Sequence, residues 1–246
     1  EVEADVELDY VTALLVDETE ETLWVGHEGG LSCFKDGSWS TIGTEQGLPS
    51  ERVLALAEDH DGVLWAGTDA GLVSLNGSAE VYTVEDGLAG DTVSTLFVDS
   101  GDRIWAGGGI FYGEGLSIYD GSTWETLSVE DGLAHPMVNS IMEYPNGTYW
   151  IGTGYSSYGG LSQFDGMKWR TIDREDGLAG WKVRLLFKDS LSTIWVSSEY
   201  NGIAFSSESS WTLLTPEDGF TGWEVKTMLE DSEGDLWFGT ENGLTR

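Results

Sequence analysis

Short apolar runs separated by turn residues dominate the hydropathy pattern of the chain. Between residues 53 and 84 the apolar stretches are VLALA, VLWAG, GLVSL and AEVYTV, and the pairs Asp61-Gly62 and Asn76-Gly77 stand between them. Runs of this length bounded by such pairs are typical of β-strands joined by tight hairpins. None of the segments between them has the length and period of an amphipathic helix. This segment therefore predicts four consecutive strands.

The same four-strand pattern recurs six times. A Trp followed two residues later by Gly or Ser stands at Trp24, Trp65, Trp105, Trp150, Trp195 and Trp237, at intervals of 40 to 45 residues. The units begin near Val11, Val53, Val93, Val138, Val183 and Val225. Repeats of this length with four strands each are the signature of propeller blades. We therefore predict an all-β fold, a single six-bladed β-propeller over residues 1–246 with four-stranded antiparallel blades.

The two ends of the chain bear on how the last blade is completed. The sixth unit stops at Arg246, early in its third strand, so its fourth strand is missing. Residues 1–8 alternate charged and apolar side chains, which is the pattern of a half-buried strand. We expect this N-terminal strand to close the last blade and cover its exposed edge. The alternative is that the chain was cut from a longer protein.

Composition narrows the class of protein. The chain has 44 acidic and 11 basic residues, a formal net charge of −33, and such a field repels both nucleic acids and anionic membranes. Its 29 aromatic residues argue against disorder. The one cysteine, Cys33, excludes an intrachain disulfide, and no apolar stretch is long enough to span a bilayer. We predict no cofactor. We also predict no metal, because the acidic hairpins around Asp59 and its counterparts are too short for a calcium loop.

The repeat resembles a known family. The segments AEDHDGVLWAGTDAGLVSL (57–75), STWETLSVEDGL (122–133) and LEDSEGDLWFGTENGL (229–244) are similar to the two-component regulator propeller repeat. The resemblance implies a sensor-type β-propeller that lies outside the cytoplasm, in the extracellular space or the periplasm. It also implies a portion of a larger receptor chain, of a kind often associated with glycan detection.

Residues that recur in most units are expected to be structural. The repeated Trp side chains should fill the wedges between neighbouring sheets. The Asp of each Glu-Asp-Gly segment should accept backbone hydrogen bonds in its turn. The apolar residue after that Gly should plug the gap between blades, at Leu48, Leu88, Leu133, Leu178 and Phe220.

Residues that interrupt the repeat are the candidates for function. The third and fourth repeats carry inserts of four residues between their second and third strands, and the fifth repeat has a tyrosine there. The blade-to-blade loops bring a tryptophan to two matched positions, and a cation follows three residues later in each. We predict a ligand-binding face formed by Phe111, Tyr112, Tyr155, Tyr158, Trp181, Arg184, Tyr200, Trp223 and Lys226.

The residue types on this face suit a sugar. Aromatic rings stack on the apolar face of a pyranose, and neighbouring polar groups bond its hydroxyls. Arg184 and Lys226 would favour a ligand with a carboxylate, such as a uronic acid, although both could instead pair with carboxylates of the protein. Alternatively, the insert aromatics only pack their own loops.

Three functions compete at this stage. The leading prediction is a non-catalytic, lectin-like or sensor-type propeller that binds glycan or oligosaccharide. The first alternative is a platform for protein–protein interaction, and a glycan array would distinguish it from the glycan-binding propeller. The second alternative is a polysaccharide-active enzyme, a lyase or glycosidase, which a substrate panel would test, since one fold hosts many chemistries. We expect no enzymatic activity, because the three histidines fall in different units and no carboxylate pair stands out.

Overall fold

The computed structural model describes residues 8–17, 19–109, 113–207 and 210–246. These residues form six antiparallel sheets, and in each sheet the strands pair in chain order. Blade 1 contains β1 Ala13–Asp17, β2 Thr22–His27, β3 Gly30–Lys35 and β4 Ser38–Ile42. Blade 2 contains β5 Val53–Glu58, β6 Leu64–Thr68, β7 Gly71–Leu75 and β8 Ala79–Tyr82. Blade 3 contains β9 Val93–Val98, β10 Ile104–Gly108, β11 Gly115–Tyr119 and β12 Trp124–Leu127.

The second half of the chain repeats this order. Blade 4 contains β13 Val138–Tyr144, β14 Thr148–Tyr155, β15 Tyr158–Phe164 and β16 Trp169–Ile172. Blade 5 contains β17 Val183–Lys188, β18 Ile194–Ser198, β19 Gly202–Ser207 and β20 Ser210–Leu214. Blade 6 contains β21 Val225–Glu230, β22 Leu236–Thr240 and β23 Gly243–Thr245. Two 3-10 turns, Thr44–Gln46 and Pro216–Asp218, are the helical segments of the described residues.

The strand order confirms the predicted fold class. The chain is all-β, and its sheets are the blades of a six-bladed β-propeller with four-stranded antiparallel blades. The sixth sheet has three strands among the described residues, as the early end of the sixth repeat predicts. The proposed closing strand falls on residues 1–8, of which 1–7 lie outside the described residues.

The described residues group into two compact units. Unit 1 holds blades 1 to 3 as far as Thr126, and unit 2 runs from Leu127 to Arg246. Each unit has its own buried clusters. In unit 1 they centre on Leu31, Val53 and Trp65, and in unit 2 on Val183, Val196 and Trp195. The assignment of residues 1–246 to one domain stays a prediction.

Valine begins the inner strand in five of the six blades, and it is buried there. Val53, Val138 and Val183 are fully buried and Val93 and Val225 nearly so. Val11, at the start of the first repeat, is 47% exposed, and strand β1 begins two residues later at Ala13.

A carboxylate clamps the first hairpin in four blades. In blade 5, Asp189 Oδ1 accepts the backbone N–H of Thr193 at 2.8 Å, and its Oδ2 accepts Trp195 Nε1–H at 2.9 Å. The same tryptophan bond joins Asp59 to Trp65, Asp99 to Trp105 and Asp231 to Trp237. We call this the Asp–Trp clamp. The acidic hairpins therefore use their carboxylates for N–H donors of the fold itself.

The Glu-Asp-Gly loops behave as the repeat predicts. Asp86, Asp131, Asp176 and Asp218 each accept the backbone N–H of the residue three positions earlier, at 2.8 to 3.1 Å. The glycine that follows has a positive φ, for example 128° at Gly132, where a Cβ would collide with the Trp169 ring. The plug residues Leu48, Leu88, Leu133 and Leu178 are at most 5% exposed, and Phe220 is half-buried.

Candidate functional site

The predicted site residues that the structure describes all lie in unit 2. They are Tyr155, Tyr158, Trp181, Arg184, Tyr200, Trp223 and Lys226. Phe111 and Tyr112 lie outside the described residues. The seven stand at one end of their blades, on the hairpins between the second and third strands, on the blade-to-blade loops and at the starts of inner strands.

The insert of blade 4 extends two strands instead of forming an open loop. Strands β14 and β15 stay paired up to Tyr155 and Tyr158, and Ser156 makes the turn with φ 54°. Tyr155 and Tyr158 are directly opposite each other, and cross-strand partners project from the same face of a sheet. The insert therefore raises two tyrosines on a regular hairpin, with Tyr158 73% exposed and Tyr155 37% exposed.

The two loop tryptophans lie beside these hairpins in matched positions. The carbonyl of Trp223 accepts the N–H of Gly202 at 2.7 Å, which fixes its loop against the β18–β19 hairpin that carries Tyr200. Asp91 of blade 3 makes the same bond to Gly71, so the two positions are equivalent. Trp181 lies at the corresponding place beside the β14–β15 hairpin. Each junction thus presents a tyrosine and a tryptophan.

The Tyr158–Trp181 junction forms a depression of about 630 Å³. Its lining includes Val129, Ala134, His135, Pro136, Tyr158 and Trp181. The wall is mainly apolar and aromatic, which is the composition of a small-ligand site. At the second junction, Tyr200 is 66% exposed and Trp223 is 45% exposed. Trp181 is half-buried.

His135 is a polar group of this depression that no sequence pattern marks as functional. Its Nδ1 accepts the backbone N–H of Met137 at 3.0 Å, so the neutral ring carries its proton on Nε2. Burial lowers the pKa of His135 below its ordinary value of 6.5. At neutral pH the ring is therefore uncharged, and its Nε2–H is a hydrogen-bond donor.

Arg184 and Lys226 occupy β-bulges. The pairing of β17 with β18 shifts between Val183 and Leu185, and that of β21 with β22 shifts between Val225 and Thr227. The residue inside each bulge is Arg184 or Lys226, and Asn139 has the same position in blade 4. A bulge re-aims the side chain of its extra residue. Asn139 Nδ2 uses this to reach the carbonyl of Val183 in the next blade, at 2.8 Å.

Both cations are paired with carboxylates of the protein. Arg184 Nη1 lies 2.8 Å from Glu199 Oε1 and 2.7 Å from Glu224 Oε1. Lys182 Nζ lies 3.0 Å from Glu199, and Lys226 Nζ lies 3.8 Å from Glu224. We call Lys182, Arg184, Glu199, Glu224 and Lys226 the ion-pair chain. Arg184 lies in blade 5 and Glu224 directly precedes the first strand of blade 6, so the ion pair between them links the two blades. The side chain of Glu224 is only 4% exposed.

The ion-pair chain limits what the cations can bind. A ligand carboxylate would have to displace Glu199 or Glu224 from Arg184, because its Nη1 already contacts both. Lys182 is also engaged, since its Nζ lies 5.7 Å from the centre of the Tyr155 ring. Glu241 adds a further negative charge, and accepts the N–H groups of Trp223 and Glu224. These two bonds hold the pKa of Glu241 below its ordinary value despite the opposing effect of its own burial.

The carboxylates at this end of the blades are engaged with groups of the protein. Over the described residues, no three His, Cys, Asp or Glu side chains are grouped as a metal site requires. The carboxylates nearest the aromatic pairs bond instead to Arg184, to lysines and to backbone N–H groups. The arrangement offers exposed rings for stacking, a neutral imidazole donor and a shallow apolar floor.

Two segments of the chain match a family profile. Residues 47–70 and 222–242 match the profile described as two component regulator propeller. The chain therefore contains repeats of the two-component regulator propeller type, which confirms the predicted resemblance. No curated protein matches the chain by sequence.

Solved structures with the same fold include extracellular domains of two-component systems. The extracellular domain of the B. thetaiotaomicron system BT4673, described as a hybrid two component system, superposes with a TM-score of 0.78 at 18% identity, over 99% of this chain and 35% of that one. The extracellular domain of BT3049 from the same organism superposes with a TM-score of 0.61 at 21% identity, over 97% of this chain and 39% of that one. An ancestral GH74 enzyme gives 0.72 at 18% identity, over 96% and 36%.

The present chain spans little more than a third of the length of these proteins. The BT4673 and BT3049 structures are extracellular domains, in agreement with the extracellular or periplasmic location that the sequence predicts. In the described part of the chain, no helix has the length and hydropathy that a bilayer span needs.

Proposed function

We propose that this chain is a non-catalytic ligand-binding propeller of the sensor type, and that it binds an oligosaccharide outside the cytoplasm as part of a larger receptor. The observation that carries this proposal is the pair of exposed tyrosine–tryptophan junctions in unit 2. Tyr158 with Trp181 and Tyr200 with Trp223 occur at equivalent places of two successive blades. Repeated aromatic platforms suit a ligand that is itself a repeat of similar rings.

The chemistry of the junctions favours a neutral sugar over an acidic one. Stacking uses the apolar ring faces of Trp181 and Trp223, whereas the nearby cations are occupied by Glu199 and Glu224. His135 supplies a neutral N–H donor for a hydroxyl group. Tyr155, Arg184 and Lys226 then support the hairpin and the loops, and Phe111 and Tyr112 remain predicted members of the same face.

Catalysis on this face is less well supported. Glu199 and Glu224 both contact one guanidinium nitrogen, so their carboxyl groups are as close together as the two carboxyl groups of a retaining glycosidase. Such an enzyme needs one carboxyl group to deliver a proton, however, and Arg184 pairs with both. The similarity to a GH74 enzyme is a similarity of fold and does not carry that activity to this chain.

The test is a glycan array followed by calorimetric titration with the best neutral oligosaccharide. Trp181→Ala and Trp223→Ala should each weaken binding about 2- to 12-fold, since one lost stacking contact is worth about 0.5–1.5 kcal/mol beyond area. The melting temperature should change little for Trp223→Ala, because that ring is exposed, and somewhat more for Trp181→Ala, because Trp181 is half-buried.

The matched control is Leu191→Ala, which removes an exposed apolar side chain at the opposite end of blade 5. It should leave glycan binding unchanged. Binding that survives both tryptophan variants at full strength would overturn the site. Hydrolysis or elimination products from the bound oligosaccharide would overturn the non-catalytic role, and capture of proteins without glycan would favour an interaction platform.

A further inference from the structure

One outer strand breaks the repeat at Ala79. The corresponding residue is a tryptophan in the other four-stranded blades: Trp39, Trp124, Trp169 and Trp211. The equivalence holds in three dimensions. A Cβ on Gly87 would lie 3.0 Å from the Cβ of Trp124, and a Cβ on Gly47 would lie 2.7 Å from the Cβ of Ala79. Ala79 therefore stands where an indole ring is normally placed.

The junction between blades 2 and 3 shows what that ring does. Trp65, Tyr82, Tyr119 and Trp124 form one aromatic cluster there. The rings of Tyr119 and Trp124 stack with centroids 4.9 Å apart, and those of Tyr82 and Trp124 meet edge to face at 5.6 Å. In unit 2, Trp150 and Trp211 make the same type of contact at 6.3 Å. A filled junction thus needs large rings from both blades.

The junction between blades 1 and 2 retains only one of the four rings. Trp24 corresponds to Trp65, but Ile42, Leu75 and Ala79 stand in place of Tyr82, Tyr119 and Trp124. An open pocket of about 480 Å³ lies where those rings are missing, and those four residues line it together with Leu64. A concave, mainly apolar pocket of this kind suits a flat ring that fits it.

The mouth of this pocket is acidic. An adjoining depression of about 580 Å³ shares Trp24, Leu64 and Leu75, and its rim carries Asp17, Glu20, Glu58 and Asp61. Burial, and then the nearby charges of Asp17, Asp59 and Glu20, raise the pKa of Glu58. Lys35 pairs with Glu20 at 2.5 Å, and His60 is the other basic group near the rim. The rim therefore has an excess of negative charge.

We propose that this inter-blade pocket binds a small aromatic amine. Its flat ring replaces the missing indole against Trp24 and Ala79, and its protonated amine meets the carboxylates of Asp17 and Glu58. An anionic ring of the same shape is rejected, because the rim would repel it. The pocket lies wholly in unit 1, apart from the aromatic junctions of unit 2.

Calorimetric titration of the full chain with tryptamine tests the proposal, and indole-3-propionate is the anionic comparison. Tryptamine should bind saturably, and indole-3-propionate should bind at least about 10-fold more weakly, a difference of 1.4 kcal/mol. Glu58→Gln should weaken the binding of tryptamine several-fold and reduce the difference in affinity between tryptamine and indole-3-propionate. Equal affinity for both compounds, or no saturable binding of tryptamine, would overturn the proposal.

Filling the pocket provides the decisive variant. Ala79→Trp restores the residue of the other blades, so it should fold normally and weaken tryptamine at least about 10-fold. Val81→Trp is the matched control, since Val81 lies on the same strand, is 39% exposed and does not line the pocket. If Ala79→Trp binds tryptamine as well as the wild type does, the ligand is elsewhere and the proposal is wrong. Trp181→Ala should leave tryptamine binding intact, which separates this site from the glycan site.

Discussion

At the scale of single residues, the Asp–Trp clamp satisfies the indole N–H of one tryptophan in each of four blades. Four tryptophans give their indole N–H to a carboxylate, yet Trp150 has Tyr144 at the matching position. Trp150 Nε1 is buried and has no hydrogen-bond partner among the described residues. The protein therefore contains its own comparison between a clamped and an unclamped tryptophan.

We expect Trp195→Phe to destabilise the protein more than Trp150→Phe, by about 1–3 kcal/mol. The first substitution leaves the buried Asp189 Oδ2 without its donor, whereas the second removes an N–H that already lacks a partner. Loss of ring area is common to both and cancels in the comparison. Urea denaturation of the two variants measures the difference, and equal costs would contradict the role given to the clamp.

The sequence could identify these aspartates as recurring but not as partners of the tryptophans. Asp189 and Trp195 are six residues apart, and they meet only because a hairpin folds between them. The ion-pair chain had the same difficulty. Arg184 and Lys226 were recognisable as departures from the repeat, but in a chain with 44 acidic residues nothing marks Glu199 and Glu224 as their partners.

At the scale of strands and blades, most of the fold was predictable. Strands recur at a fixed period, so β5 and β7 begin at the expected residues Val53 and Gly71. The insert of blade 4 was expected as a loop, because its Gly, Ser and Tyr residues carry no alternating pattern. It continues two strands instead, since backbone pairing up to Tyr155 and Tyr158 does not depend on a buried face.

Packing between blades gives a prediction at the same scale. Trp65→Ala should lower the free energy of unfolding by about 3–5 kcal/mol, because it removes a buried ring from the cluster of four and breaks the bond to Asp59. Trp24→Ala is the matched comparison and should cost less, since Trp24 already borders an open pocket. Thermal and urea unfolding measure both variants, and a larger loss for Trp24→Ala would contradict the packing scheme.

At the scale of the whole molecule, charge is the dominant long-range term. Of 44 carboxylates, few can pair with 11 cations, and several of the ion pairs that do form are at the surface. The remaining like charges repel one another in the folded state. Salt screens this repulsion, with a Debye length of about 3 Å at 1 M.

The melting temperature should therefore be higher in molar sodium chloride than in dilute buffer. Salt also weakens the exposed ion pairs, but each of these contributes only about 0–1 kcal/mol, so relief of the general repulsion is the larger effect. Calorimetric scans from 0.05 to 2 M salt test this. A melting temperature that stays flat or falls with salt would show that the net charge does not limit stability.

The separation of the Asp–Trp clamp from the aromatic junctions has an evolutionary consequence. In blade 5 the clamp lies on the β17–β18 hairpin, while Tyr200 follows β18 at the other end of the sheet. Mutations at the Tyr200 end therefore leave the clamp untouched. Successive copies of the repeat can diverge by drift and selection in these loops alone, without first accumulating compensating changes in the core.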